Sequence, residues 1–147
     1  MTTAAPPTAR VLVATDVMTA PAITITPATT PWAAWSVLVR HDIRHLVVIR
    51  DGRCVGILDD RAIFSHWPMG PLALRRSTIA GMIRTRTSCV LPTTPLSEVA
   101  HVMNLDHVDA VPVVDSRGWV LGLVTAGDVV AAVARHGVRD RSAEVPA

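Results

Sequence analysis

The feature that most constrains this chain is that it is written twice. The run Leu46-Val47-Val48-Ile49-Arg50-Asp51-Gly52-Arg53-Cys54-Val55-Gly56-Ile57-Leu58 returns as Val111-Pro112-Val113-Val114-Asp115-Ser116-Arg117-Gly118-Trp119-Val120-Leu121-Gly122-Leu123-Val124. The offset is 65 residues as far as Ile49 and Val114, and 66 from Gly52 and Gly118 onward, because the second turn holds one extra residue. Upstream, the 65-residue offset also pairs Pro27 with Pro92 and Ile43 with Val108. A unit of this size cannot bury its apolar face alone, so two copies must pack face to face. Such pairing creates two related clefts, and the differences between the copies become the evidence about what each cleft can hold.

The pattern within each copy is strand, helix, strand, strand, helix. Residues 22–26 alternate as a strand does. Pro27 to Pro31 supply a turn and a helix start, with Thr29 or Thr30 as N-cap and Pro31 in the first turn. That helix runs to about His41 and is expected to bury Trp35, Leu38 and Val39. Residues 44–50 form a strand, Asp51-Gly52 a hairpin turn, and residues 55–58 the return strand. A helix follows from Asp59 or Asp60 to about His66. The second copy repeats this order. Residues 79–83 give a helical turn and residues 88–91 a strand. Thr94-Pro95 cap a helix to about Asp106, with Leu96, Val99, Ala100 and Met103 inward. Residues 110–114 and 120–124 make the hairpin, and Thr125 caps a last helix to about Arg135. The expected organisation is a disordered, Ala/Pro/Thr-rich tail over residues 1–10, one repeat over 11–67, a Pro/Gly-containing linker over 68–77, a second repeat over 78–136 and a polar, frayed tail from 137. The fold class is α/β (α+β), with two β-α-β-β-α repeats packed sheet to sheet.

Composition narrows the function. Half of the residues are hydrophobic, so material for a core is ample. Four Trp, one Phe and no Tyr leave little for base stacking. The net charge is only +2, and the Arg are scattered except at Arg75-Arg76 and Arg84/Arg86. Nucleic-acid binding needs a basic face, so it is not expected. The longest uncharged stretch, residues 17–39, holds three prolines and cannot be a membrane helix. The start shows no signal peptide. These features lead to the expectation of a soluble cytoplasmic protein with no membrane partner. Cys54 and Cys89 lie in apolar runs on different copies, so both are expected to be buried, reduced thiols. The six histidines lack zinc-type spacing, and no metal site is expected. No nucleophile and base stand in recognisable spacing, so no enzymatic activity is expected.

The order of elements, Asp16-Val17-Met18-Thr19, Val111-Pro112-Val113-Val114-Asp115 and Gly122-Leu123-Val124-Thr125-Ala126-Gly127-Asp128 resemble the CBS domain, named after cystathionine β-synthase. Two in tandem form a Bateman module, and the resemblance covers about residues 11–136. It implies two pseudo-symmetric clefts that bind adenosine-containing ligands such as AMP, ADP, ATP or S-adenosylmethionine, with no obligatory cofactor. It also implies a homodimer paired through the helices at 32–41 and 96–106. Each cleft would join the Thr/Ser-x-x-Asp helix start of one copy to the strands of the other. For this chain that means Leu123, Thr125, Gly127 and Asp128 facing Val17, Thr19, Ile23, Thr24, Ile43, Arg44, His45 and Val47.

The residues make chemical sense in those roles. The Thr125 hydroxyl and the free N–H groups of a helix start suit an anion. Gly127 admits close approach, and the two oxygens of Asp128 suit two ribose hydroxyls. Apolar side chains of the first copy would sandwich adenine, with Arg44 or His45 toward the phosphates. The other cleft carries Asp59 in place of Thr125 and Ala62 in place of Asp128, with Asp109 adding another acid. It is expected to hold no nucleotide phosphate. Two functions follow from this reading: a ligand-sensing regulatory module with one intact cleft, or a structural adaptor with vestigial clefts that acts through a protein partner.

Overall fold

The computed structural model describes residues 10–67, 70–84 and 87–137. Residues 1–9 of the expected N-terminal tail, 138–147 of the expected C-terminal tail, and Pro68 and Met69 of the expected linker lie outside them. In the first repeat, β1 (Thr24–Ile25) pairs in parallel with β2 (His45–Arg50), and β2 pairs antiparallel with β3 (Arg53–Asp59). Two helices accompany this sheet, α2 (Pro31–His41) and α3 (Asp60–His66), preceded by a short α1 (Ala14–Val17). The second repeat has α5 (Leu96–Asp106), the antiparallel pair β4 (Ala110–Val114) and β5 (Val120–Thr125), and α6 (Ala126–His136). Its expected first strand, residues 88–91, contracts to a single parallel bridge between Val90 and Val113. Both hairpins carry a register shift at the same place, between Val48 and Ile49 and between Val113 and Val114. The duplication therefore extends to the irregularities.

β2 reads as an unbroken apolar run because both of its faces are covered. Leu46 and Val48 enter the core of the first repeat with Ala34, Leu38, Leu58 and Ile63. Val47 points the other way, into a small cluster with Ile57, Ala110 and Leu123 that joins the two sheets. Val111, Val113 and Val124 build the second core with Val99 and Met103.

The connecting segments cross between repeats. Ala14, Val17 and Met18, which lead into the first repeat, pack in the core of the second. Ile79, Met82 and Ile83, which lead into the second, pack in the core of the first. The crossing is pinned by bridges between Thr19 and Leu123 and between Ile57 and Arg84. Each repeat thus completes the other, which explains why the chain needs both.

Four expectations are corrected. In α2 the buried stripe is Pro31, Ala34 and Leu38, at helical spacing. Val39 falls off that stripe and is exposed, while Trp35 is half-buried among Phe64 and Trp67. Within the expected linker, Pro71–Arg76 is a helix, α4, with Pro71 at its first turn and Leu74 buried. A proline read as a breaker here starts a helix, which needs no N–H at that position. Thr94 does not cap α5; its hydroxyl accepts from the Leu91 N–H at 3.0 Å and closes the preceding turn. Lastly, Cys54 is half-buried and Cys89 exposed, both free.

The fold also brings those two cysteines together, although they belong to different repeats. The neighbouring Cys89 thiol lowers the Cys54 pKa to about 7, and Cys54 in turn raises that of Cys89. The thiolate is the nucleophile. Alkylation with iodoacetamide at neutral pH, read by peptide mass, is therefore expected to label half-buried Cys54 ahead of exposed Cys89. The opposite order would contradict the assignment.

Candidate functional site

Two clefts open between the repeats, and they are unequal. The larger has a volume of about 430 Å³ and is lined by Thr19, Ala22, Ile23, Asp42, Ile43, Arg44, His45, Asp109, Leu123, Thr125, Ala126 and Gly127. The smaller, of about 10 Å³, is lined by His45, Ile57, Asp59, Arg84, Thr87, Val108, Asp109 and Ala110. The 65-residue offset maps one wall onto the other: Thr19 corresponds to Arg84, Ala22 to Thr87, Ile43 to Val108 and Arg44 to Asp109. The exchange of a small threonine for an arginine at the crossing bridge narrows the second cleft. His45 and Asp109 stand on the wall between the clefts and face both.

The helix starts that flank the clefts are built alike. Thr125 is the N-cap of α6: its Oγ1 accepts from the Asp128 N–H at 3.3 Å. Asp128 reaches back, its Oδ2 accepting from the Thr125 N–H at 2.8 Å and from the Thr125 hydroxyl at 3.1 Å. This is a reciprocal capping box. Asp59 occupies the equivalent N-cap of α3 and accepts from the Ala62 N–H at 2.8 Å. Ala126 and Gly127, at the first turn of α6, face the larger cleft. A Cβ at Gly127 would meet only Thr125 Oγ1, at 3.6 Å, so the space in front of it is open.

Of the residues singled out from the sequence, Thr19, Ile23, Ile43, Arg44, His45, Leu123, Thr125 and Gly127 meet in the larger cleft. Val17, Thr24, Val47 and Asp128 do not line it. Val17 packs against the second core. Thr24 is exposed on the sheet edge beside Val47. Val47 is fully buried beneath the cleft, covered by Ala110 and Leu123. Asp128 lies half-buried one turn behind the wall, with Oδ2 committed to the cap. It therefore has one carboxylate oxygen to offer outward, not two.

Ala22, Asp42, Asp109 and Ala126 join the wall without having been singled out for it. Asp42 ends α2 in the left-handed region at φ 51°, and its counterpart His107 ends α5 at φ 52°. The duplication pairs these two positions. A left-handed helix stop made by residues other than glycine leaves no clear signal in sequence.

The two basic side chains of the cleft are each paired with an acid. Arg44 Nε donates to Asp60 Oδ2 at 3.1 Å, and that bond, with the Asp60 charge, raises the Arg44 pKa further. His45 Nε2 donates to Asp109 Oδ1 at 2.8 Å. Partial burial pushes the Asp109 carboxyl up, but the His45 hydrogen bond and charge, its own backbone N–H and Arg61 together hold it below the ordinary value. Both basic side chains are thus directed at acids rather than into the open volume. A phosphate would have to draw Arg44 from Asp60.

Comparison with known proteins gives one family. A profile of the CBS domain matches residues 13–68 and again 79–135. The L-aspartate semialdehyde sulfurtransferase of Methanocaldococcus jannaschii is 28 % identical over 116 residues, which is 78 % of this chain and 22 % of that protein. The chain thus spans about a fifth of the length of this relative. Among solved structures, a CBS domain pair in complex with 5′-methylthioadenosine and S-adenosyl-L-methionine superposes with a TM-score of 0.76 at 26 % identity, covering 86 % of this chain and 98 % of that one. Hypoxic Response Protein I, with two coordinated zinc ions, superposes with a TM-score of 0.69 at 27 % identity, covering 82 % and 98 %.

Proposed function

The chain belongs to the CBS domain family, and we propose that it is a regulatory module that senses an adenosine-containing small molecule in the larger inter-repeat cleft. The observation that carries this reading is the cleft's size and make-up. About 430 Å³ falls within the range of small-molecule sites, about 300–1,000 Å³. One wall is apolar, with Ile23, Ile43 and Leu123, and suits a purine. The opposite wall is the start of α6, whose N–H groups and Thr125 suit an anion or a carboxylate. The free oxygen of Asp128 is one turn away for a ribose hydroxyl.

The pairing of Arg44 with Asp60 and of His45 with Asp109 favours AMP or S-adenosylmethionine over a triphosphate. The complex of a related pair with S-adenosyl-L-methionine supports the same class. The narrow cleft takes no nucleotide. The module acts by binding and carries out no reaction. A ligand that prefers the folded state must raise its melting temperature. In a panel of AMP, ATP, NAD and S-adenosylmethionine, AMP or S-adenosylmethionine is expected to give the largest shift. No shift from any adenosine compound at millimolar concentration would sink the reading.

The adaptor reading has one observation of its own. Trp32, Phe64, Trp67 and Leu72 leave an exposed apolar patch along α2, α3 and α4. Trp35 and Phe64 stack edge to face at 4.8 Å, and Arg75 lies over the Trp32 ring at 4.9 Å. A patch of this kind marks a protein contact. We assign it to a second copy of the chain. Sedimentation at micromolar concentration is expected to give a homodimer that Phe64→Ser weakens; a monomeric mass would contradict this.

A further inference from the structure

The narrow cleft is too small for a nucleotide, yet it gathers unlike metal-ligating atoms. His45 opens β2 and Asp59 closes β3, and the two are direct cross-strand partners, so their side chains leave the sheet on one face. Asp109 arrives from the second repeat, immediately ahead of β4. One imidazole nitrogen and two carboxylate oxygens lie within 4.8 Å of one another. All three residues line the cavity of about 10 Å³, which has room for a single ion or water.

Two of the three side chains are drawn from the interior: His45 is 10 % exposed and Asp59 9 %, while Asp109 closes the cluster from the more open side at 41 %. Asp59 gives one oxygen to the Ala62 N–H; the other accepts no hydrogen bond from a described residue. That second oxygen is open to the cavity, where a cation can meet it. Arg84 shares the wall, but its Nη1 is drawn to the His107 carbonyl at 3.5 Å, and two carboxylates outnumber it.

We propose that His45, Asp59 and Asp109 form a binding site for a zinc-class divalent ion that ties the two repeats together. One nitrogen and two carboxylate oxygens, with water as the fourth ligand, match tetrahedral zinc. They match calcium poorly, because it takes six to eight oxygens. The ion replaces the proton now held between His45 Nε2 and Asp109 Oδ1, and modest rotation of the carboxylates closes the triad around it. The N-cap bond from Ala62 orients Asp59, as a supporting hydrogen bond does around bound metals. Two ligands come from one repeat and one from the other, so the ion is a cross-link. It also stiffens the wall that His45 and Asp109 share with the larger cleft.

The test uses the metal-stripped full chain and the metal alone, so it stands apart from the adenosine reading. Titration with Co²⁺ is expected to saturate at one ion per chain and to develop the intense visible absorption of four-coordinate cobalt, and Zn²⁺ is expected to bleach it. Asp59→Asn keeps an N-cap acceptor, so the fold is retained. This variant and Asp109→Asn should each weaken binding by about a hundredfold or more, beyond the 10–100-fold typical of losing a supporting partner. His101→Ala, at an exposed position of α5, should leave it unchanged. Absence of saturable one-to-one binding at micromolar metal would overturn the proposal. So would affinities that Asp59→Asn and Asp109→Asn leave intact, or that His101→Ala abolishes.

Discussion

Asp128→Ala is expected to weaken binding of an adenosine ligand by roughly ten- to a hundredfold, or about 1.5–3 kcal/mol, through loss of a charged acceptor for the ribose. The same side chain closes the capping box with Thr125, so the free protein should also lose about 1 kcal/mol of stability. Asp128→Asn separates the two effects. Its amide oxygen still accepts from the Thr125 N–H, and stability should largely return while affinity stays reduced. Asp59→Ala, at the equivalent helix start of the narrow cleft, should leave nucleotide affinity unchanged. Fluorescence titration of the three variants beside the parent checks this. Equal affinities for Asp128→Ala and the parent would remove Asp128 from the site.

Gly122→Val is expected to damage the fold severely. A Cβ at Gly122 would lie 2.7 Å from the Thr19 carbonyl oxygen and 2.8 Å from Met18 Sδ. The Thr19 backbone cannot yield, because it exchanges two hydrogen bonds with Leu123, at 2.9 and 3.0 Å. The collision therefore separates the crossing segment from β5. Overpacking a tight site costs about 1–3 kcal/mol and occasionally more; here backbone is struck, and about 3 kcal/mol or more is expected. Thr19 also lines the larger cleft, so ligand affinity should fall as well. Gly81→Ala is the control, since a Cβ there meets nothing within 4 Å. Urea denaturation should show a large fall in midpoint for the first and none for the second. Similar midpoints would mean that the crossing does not hold the repeats together.

The parts of this architecture that obey local rules were legible in the sequence. The hairpin at Asp51-Gly52, where both residues take positive φ, follows from turn chemistry. The helix starts at Thr30, Asp59 and Thr125 follow from capping. The offset also placed Asp59 opposite Thr125 and Ala62 opposite Asp128, and the inequality of the two clefts follows in part from that. What was hidden is long-range. The crossing of residues 14–18 and 79–83 into the partner repeat rests on single-residue bridges, which have no periodicity. The proximity of Cys54 to Cys89 depends on contact between the repeats, where the Cys54 N–H meets the Gly118 carbonyl. The His45–Asp59–Asp109 cluster draws on three segments, and spacing rules for metal ligands see one segment at a time. Depth and capping explain the misplaced site residues. Val47 shares the cleft face of β2 with His45, but lies one pair deeper, under Ala110 and Leu123. Asp128 has one oxygen free for a ribose, because the other serves the helix.

The central claim, that one of two related clefts is a working adenosine site, is tested most directly by isothermal titration of the purified chain with AMP and with S-adenosylmethionine. The account predicts saturable binding of at least one of them at one ligand per chain, with the signal reduced in Asp128→Ala and preserved in Asp59→Ala. Two equivalent ligands per chain, or no heat of binding at millimolar concentration, would contradict it.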